Sequence, residues 1–414
     1  MPNFYEFFAG GGMARAGLGD GWACLLANDI DPKKTKSYEQ NWGASELHLG
    51  DVAELTLKEL TRKLDTQRAD LAWASFPCQD LSLAGSGAGL NGERSGTFRA
   101  FWKQIESLKT VGRAPKMVVL ENVVGALTAG KNSEGKNDGR DFVELGRHLS
   151  DGNYRFGAVI VDAVHWVPQS RPRLFIIAIH ESVPIPADLQ VDTPSRYWHP
   201  KSLVTAHDRL GQALEEIDKR WIWWSLPAPP TQRPVFKNLE ALIEKKDNPE
   251  GVSWHTSKET EALFRLMSET SKKKVSEAQL QTEDGSRQVA TVYKRMRPEG
   301  EIVVIDGKSR RKNIQRAEVR FDNIAGCLRT PTGGSSRQTI LVIQKGKVRS
   351  RLLSPLEVTR LMGLEDDYKK PDKYNDTYHL AGDGVVVDVV HFLAENILEP
   401  TLAAAETEPA TLIA

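Results

Sequence analysis

The chain has few cysteines, no long hydrophobic run and no net charge, and each shortage excludes a class of protein. Cys24, Cys78 and Cys327 are the only cysteines among 414 residues, too far apart for a Cys-x-x-Cys metal site and too few for a disulfide framework. No apolar segment approaches the ~18 to 20 residues of a membrane span. The opening MPNFYEFFAGGG has neither the basic stretch nor the apolar core of a secretory signal. A cytoplasmic location is expected, with no membrane partner and no metal. Lys+Arg 55 equals Asp+Glu 55, which excludes a uniformly basic coat but permits a local basic patch. Hydrophobic residues at 40% and charged residues at 27% are ordinary for a globular chain, so disorder is not its main state. The length suits two or three folding units.

What is present is a rhythm. Between residues 3 and 180, short β-branched or aromatic runs alternate with amphipathic stretches, which predicts a parallel sheet covered by helices on both faces. Strands are expected at 3–8, 24–28, 70–75, 117–120, 155–161 and 174–179, with helices at 33–41, 97–108 and 142–149. Beyond His180 proline becomes frequent, from Pro184 to Pro234, and tryptophan clusters at Trp221, Trp223 and Trp224. A different architecture is expected there. Residues 291–351 hold 15 Lys+Arg against 5 Asp+Glu, a basic segment suited to phosphates or simply a solvated face. Segments 354–361 and 385–398 read as helical, and 401–414 as a frayed tail.

Several segments carry chemistry. After the first strand comes Phe8-Ala9-Gly10-Gly11-Gly12, where glycine allows a tight turn and leaves no Cβ between a ligand and a helix N-terminus. A plain structural turn is the other reading, because the spacing departs from G-x-G-x-x-G. Asp29, followed by Ile30, ends the second strand, where a ribose would bind in a nucleotide fold. Asp51, before Val52, is either an acceptor for an adenine amine or a helix N-cap for 52–64. Ser75-Phe76-Pro77-Cys78-Gln79-Asp80-Leu81-Ser82 puts a cysteine at a strand tip before a glycine-rich loop. That pattern suits a nucleophile under a mobile lid, against the bland alternative of a buried thiol. Glu121 ends the apolar run 117–120, as an active-site acid or a surface one. Arg171 and Arg173 alternate before an apolar strand, which would send both side chains to one face, toward an anion or a polarised carbonyl oxygen.

In this order and spacing, the segments resemble the bacterial-type DNA (cytosine-5) methyltransferases, from Phe7 to about Pro400 apart from the middle. Phe7 to Leu18 resembles the family's S-adenosylmethionine turn, Phe76-Pro77-Cys78-Gln79 its Pro-Cys nucleophile, Glu121-Asn122-Val123 its Glu-Asn-Val element, and Gln169-x-Arg171-x-Arg173 its Gln-x-Arg-x-Arg element. Arg351 to Glu357 with Met362-Gly363-Leu364 resembles the segment that organises the recognition region. Gly382-Asp383-Gly384-Val385 resembles the last cofactor-lining turn. There are departures: Asp29 stands where the family usually has Glu, Leu356 where Arg is common, Trp166 where Gly often precedes Val-Pro-Gln, and Asp383 where Asn is usual.

The resemblance implies a Rossmann-like α/β methyltransferase sheet from 1–180 and 351–400, with a smaller, irregular, partly β target-recognition region at 181–350. It implies S-adenosylmethionine as cofactor, S-adenosylhomocysteine as product, and double-stranded DNA as substrate. Cys78 would be the nucleophile, with Glu121, Arg171 and Arg173 catalytic. Phe8, Ala9, Gly10, Gly12, Asp29, Ile30, Asp51, Val52, Pro77, Asp383 and Val385 would hold the cofactor, while Gln79, Ser82, Arg94, Arg329 and Arg337 would meet DNA. A monomer is expected, with a cognate restriction endonuclease as possible partner. Two alternatives compete: a tRNA cytosine-5 methyltransferase, which the large middle region disfavours, and a nucleotide-binding α/β oxidoreductase, which leaves the Pro-Cys, Glu-Asn-Val and Gln-x-Arg-x-Arg set unexplained.

Overall fold

Strand β1 (Asn3–Phe7) is buried along all but its first residue, as a strand covered on both faces must be. The computed structural model describes residues 1–414 apart from 65–66, 78–95, 132–133, 216, 306–307, 332–336 and 408–414. These described residues divide into two compact units, Met1–Ala163 with Pro172–Thr231 and Asp383–Ala414, and Val164–Arg171 with Gln232–Gly382.

The first unit is built on β1, β2 (Ala23–Asp29), β3 (Leu47–Leu49), β4 (Leu71–Ala74), β5 (Met117–Val123), β6 (Tyr154–Asp162) and β7 (Pro172–His180), in the sheet order β3-β2-β1-β4-β5-β7-β6. The interleaved helices are α1 (Met13–Leu18), α2 (Pro32–Trp42), α3 (Leu57–Thr61), α4 (Gly96–Thr110) and α5 (Arg140–Asp151). On one face Tyr5, Phe7, Ala72, Ala74, Val118 and Leu120 pack on Phe98, Phe101 and Trp102 of α4 and Leu145 and Leu149 of α5. On the other, α1 lies over Glu6 and packs on the helix Val387–Leu393, so tightly that a Cβ on Gly17 would stand 2.4 Å from Val390 Cβ. The Rossmann-like α/β class is therefore correct.

Three local expectations change. The sheet is mixed, because β7 runs antiparallel to both β5 and β6. The connection 163–171 is too short for the crossover that a parallel return requires. The segment 52–64 is a 3-10 turn followed by α3, because Thr56 and Glu59 form a capping box that starts a new helix. Residues 401–407, expected to be frayed, belong to the helix Glu399–Thr407, in which Thr401 and Leu402 are buried.

The unit boundaries also fall elsewhere than 180 and 351. Residues 181–231 pack with the first unit: Ile160 N–H donates to the Trp198 carbonyl at 2.9 Å, and Gly157 lies so close under Ile222 O that a Cβ would stand 1.9 Å from it. Residues 351–382 pack with the second, where Arg351 and Glu357, both fully buried, form a bidentate pair at 2.7 and 2.6 Å. The second unit centres on an antiparallel sheet of Ile314–Arg320, Arg287–Arg297, Thr339–Gln344 and Lys347–Leu352. Helices Ser257–Leu266 and Glu269–Gln281 supply Leu263 and Val275 to its core, beside Val292, Val319 and Ile343. Among the described residues no helix is long and apolar enough to cross a membrane.

Candidate active site

In the first unit the chain leaves β1 toward β2 on one side and later returns to β4 on the other, so the strand order reverses between β1 and β4. In α/β folds such a switch point, outside the C-terminal ends of the strands, is where ligands bind. Ligand-facing groups from β1, β2, β4 and β5 therefore gather along one edge.

The turn after β1 is shaped by left-handed backbone at Phe8 (φ 58), Gly10 (φ 55) and Gly12 (φ 79). At Phe8 this is uncommon for a side-chain-bearing residue, and it leaves the ring only partly buried on the core. Ala9 N–H donates to the Asn28 carbonyl at 2.9 Å, while Gly10 N–H donates to Asp29 Oδ2 at 2.8 Å. Asp29 is buried, and burial raises its carboxyl pKa against the pull of Lys34 and the N–H groups of Asp31 and Gly10. Next to it Ile30 is 65% exposed at a strand tip, an apolar surface suited to a flat ring. Asp51 is exposed and accepts from Ala53 N–H at 2.9 Å, so its capping role is realised, while Val52 is buried below it. Pro77 is exposed after β4, Val385 is buried, and Asp383 pairs with Lys34 at 2.6 Å. An exposed apolar tip, a partly covered aromatic ring and strand-end carboxylates fit an adenosine-bearing cofactor.

On β5, Glu121 is 5% exposed, and its Oε1 stands 3.2 Å from Nε of Arg173 at the start of β7. The ladder explains the meeting, because antiparallel pairing sets Val123 opposite Arg173. Asn122, which sequence reasoning passed over, donates to the Phe76 carbonyl at 3.2 Å and so ties β5 to the chain just before Pro77. Its signal was the middle letter of Glu-Asn-Val. Cys78, Gln79, Ser82 and Arg94 lie outside the described residues.

Arg171 departs from expectation. It belongs to the second unit, is buried, and donates to the carbonyls of Leu328 at 3.0 Å and Gly382 at 2.8 Å, with Cys327 Sγ at 3.4 Å. A guanidinium committed to main-chain acceptors is a structural tie, not a phosphate ligand on the face of Arg173. Gln169 behaves likewise, bonding Leu361 O at 2.7 Å and Leu328 N–H at 2.9 Å. Arg329 is exposed, and Arg337 Nε donates to Asn375 Oδ1 at 3.0 Å, both within the second unit.

Glu6 was also missed. It is buried under the turn, with Oε1 accepting from Ala14 and Arg15 N–H at 3.1 and 3.2 Å and Oε2 without a hydrogen-bond partner.

The family described as C-5 cytosine-specific DNA methylase matches residues 2–399. Type II methyltransferase M.NgoFVII of Neisseria gonorrhoeae is 27% identical over 51% of this chain and 49% of its own length, so this chain spans about half of that relative. The match to M.HgiCI of Herpetosiphon aurantiacus, 31% identical, covers 44% of this chain and 40% of that relative. M.HhaI of Haemophilus parahaemolyticus is 24% identical over 95% of this chain and 93% of its own length. Among solved structures, an Escherichia coli prophage-encoded DNA modification methyltransferase covers 99% of this chain and 100% of its own at 15% identity, with a TM-score of 0.54. That likeness concerns the fold.

Burial pushes the Glu6 carboxyl up to about 8, against the pull of the Arg15 and Ala14 N–H groups. The folded chain then holds a proton that the unfolded chain releases near 4.5, so this group's contribution is full below that pH and is lost as pH rises through about 8. Wild-type stability should fall by a few kcal/mol between pH 5 and 9 relative to Glu6→Gln, because each tenfold gain in proton affinity on folding is worth on the order of 1.4 kcal/mol. Thermal denaturation across that range checks this, and parallel profiles for the two proteins would contradict it.

Proposed function

Because the chain belongs to the C-5 cytosine-specific DNA methylase family, we propose that it methylates C5 of a cytosine flipped out of a specific duplex DNA sequence. The observation that carries the reading is the Glu121–Arg173 pair, set beside the strand exit that leads through Phe76 and Pro77 to Cys78.

Cytosine C5 is a weak nucleophile, and an electron pair has to be released toward it. The Cys78 thiolate adds to C6, forming an S–C6 bond and shifting the ring electrons onto C5. Glu121 meets the N4 amine and N3, and Arg173 both orients that carboxylate and faces O2, where charge accumulates on attack. When bound, S-adenosylmethionine supplies the methyl group from its sulfonium and leaves as S-adenosylhomocysteine. Loss of H5 to a base then returns the electron pair and expels the Cys78 thiolate. Phe8 and Ile30 would hold the adenine, Asp29 and Asp51 would bind ribose and adenine, and Ala9, Gly10, Gly12, Val52, Pro77, Asp383 and Val385 would line the cradle.

In a duplex the C6 edge is stacked, so flipping costs about a few kcal/mol. Gln79, Ser82 and Arg94 are the candidates for closing on the flipped site. Target recognition falls to the second unit, whose basic stretch 291–351 includes Arg329 and Arg337. The enzyme acts as a cytoplasmic monomer in a bacterial or phage restriction-modification system, with a cognate endonuclease as its candidate partner.

DNA carrying 5-fluorocytosine in the target should trap the wild type as a denaturant-stable adduct, because fluorine blocks the final elimination. Cys78→Ser should form no adduct and transfer no methyl groups, yet retain S-adenosylmethionine binding. Normal turnover by that variant would sink the covalent route. For recognition, Arg337→Ala should cost ~1 to 3 kcal/mol mainly on the cognate duplex if the residue reads a base. If it contacts a phosphate, cognate and scrambled duplexes should lose alike and the log–log salt slope should shrink by about one unit. Equal affinity for wild type and variant would remove Arg337 from the interface.

A further inference from the structure

Lys34 sits in the first turn of α2, where the positive end of the helix disfavours a cation. It nevertheless points inward, its side chain 16% exposed, and its Nζ lies 2.6 Å from Asp383 Oδ2. Along the way its stem passes the glycine turn: a Cβ built on Gly10 would lie 3.9 Å from Lys34 Cδ. Gly10 is itself fixed by its N–H bond to Asp29 Oδ2. Burial works against the lysine's charge, but Asp383 and Asp29 more than offset it and its pKa is raised. Lys34 thus links the turn after β1 to Asp383, a residue 349 positions after the lysine, and all of these residues belong to the first unit. Nothing in the fold of α2 requires this, because the helix is already started by the Asp31 cap and by Pro32.

We propose that Lys34 is a positioning residue for S-adenosylmethionine: through its ion pair with Asp383 it holds the turn at Asp383 against the Gly10 turn and completes the cofactor cradle. This rests on the methyltransferase reading above. Asp383 is 49% exposed, so the pair is partly screened by water, and its value lies in fixing geometry more than in stabilising the fold.

The test is a double-mutant cycle on the full chain, read by calorimetric binding of S-adenosylmethionine in the absence of DNA. Lys34→Met should weaken binding by roughly tenfold or more, because it leaves Asp383 without its cation, and Asp383→Asn should weaken it less. The double variant should bind no worse than Lys34→Met, since the two changes remove one shared interaction. Lys34→Arg should recover most of the affinity, and the cofactor-free melting temperatures of all variants should stay close to wild type. Losses that simply multiply in the double variant, or unchanged binding by Lys34→Met, would overturn the latch while leaving the methyltransferase reading intact. If Lys34→Met melts early, Asp383→Asn and Lys34→Arg decide the matter by the same criteria. A wild type that binds no S-adenosylmethionine would overturn the underlying reading and the latch with it.

Discussion

Strand β7 runs against its neighbours, and the assembly of the active edge depends on that reversal. The other functional groups at this edge come from strand ends, whereas Arg173 comes from a strand beginning, which an antiparallel neighbour alone brings to the same edge. A parallel strand at that place would carry its first residues to the opposite edge and leave Glu121 buried without a cation. An isolated buried carboxylate is costly, so the pairing stabilises the acid as well as aiming it. Asn122, one residue on, holds the exit from β4 by a single hydrogen bond. Acid, guanidinium and the strand exit toward Cys78, the proposed nucleophile, are thus set by three adjacent strands.

The same economy recurs at other buried charges of this chain. Glu6 accepts from main-chain N–H groups at the start of α1 and Asp29 from that of Gly10, and Asp29 lies beside Lys34 as well. In the second unit Glu357 accepts from Arg351, Ser354 and Glu244 at once, so a capping box and a buried ion pair share one carboxylate. Breaking a pair of that kind typically costs about 3–5 kcal/mol, which marks it as the anchor of the segment 351–357. Arg171, with its main-chain acceptors, is a third such tie.

Much of this was legible in the sequence because strands buried on both faces announce themselves as apolar runs, and 117–120 and 174–179 are such runs. Strand β3 was not, since Leu47–Leu49 is short and only half-buried. The direction of β7 was hidden because a strand's sequence does not record its polarity; only the length of the preceding connection hints at it. Arg171 and Arg173 look equivalent at alternate positions, yet their surroundings separate them: one is consumed by distant carbonyls, which no local pattern reveals. Lys34 and Asp383 escaped for the same reason, being 349 residues apart and neighbours only after folding. The unit boundary does not fall at 180, because the segment that carries Trp198, Trp221 and Trp224 packs with the first unit although its proline and tryptophan content suggests a change of architecture.

The strand-tip acid and its arginine, the glycine turn with its carboxylates and the family match over residues 2–399 support the proposed methylation of cytosine at C5 in DNA. Bisulfite sequencing of DNA from cells expressing the chain tests that claim most directly. The account predicts cytosines that resist conversion at every copy of one short sequence and convert elsewhere. Complete conversion throughout, from cells in which the folded protein is present, would contradict it.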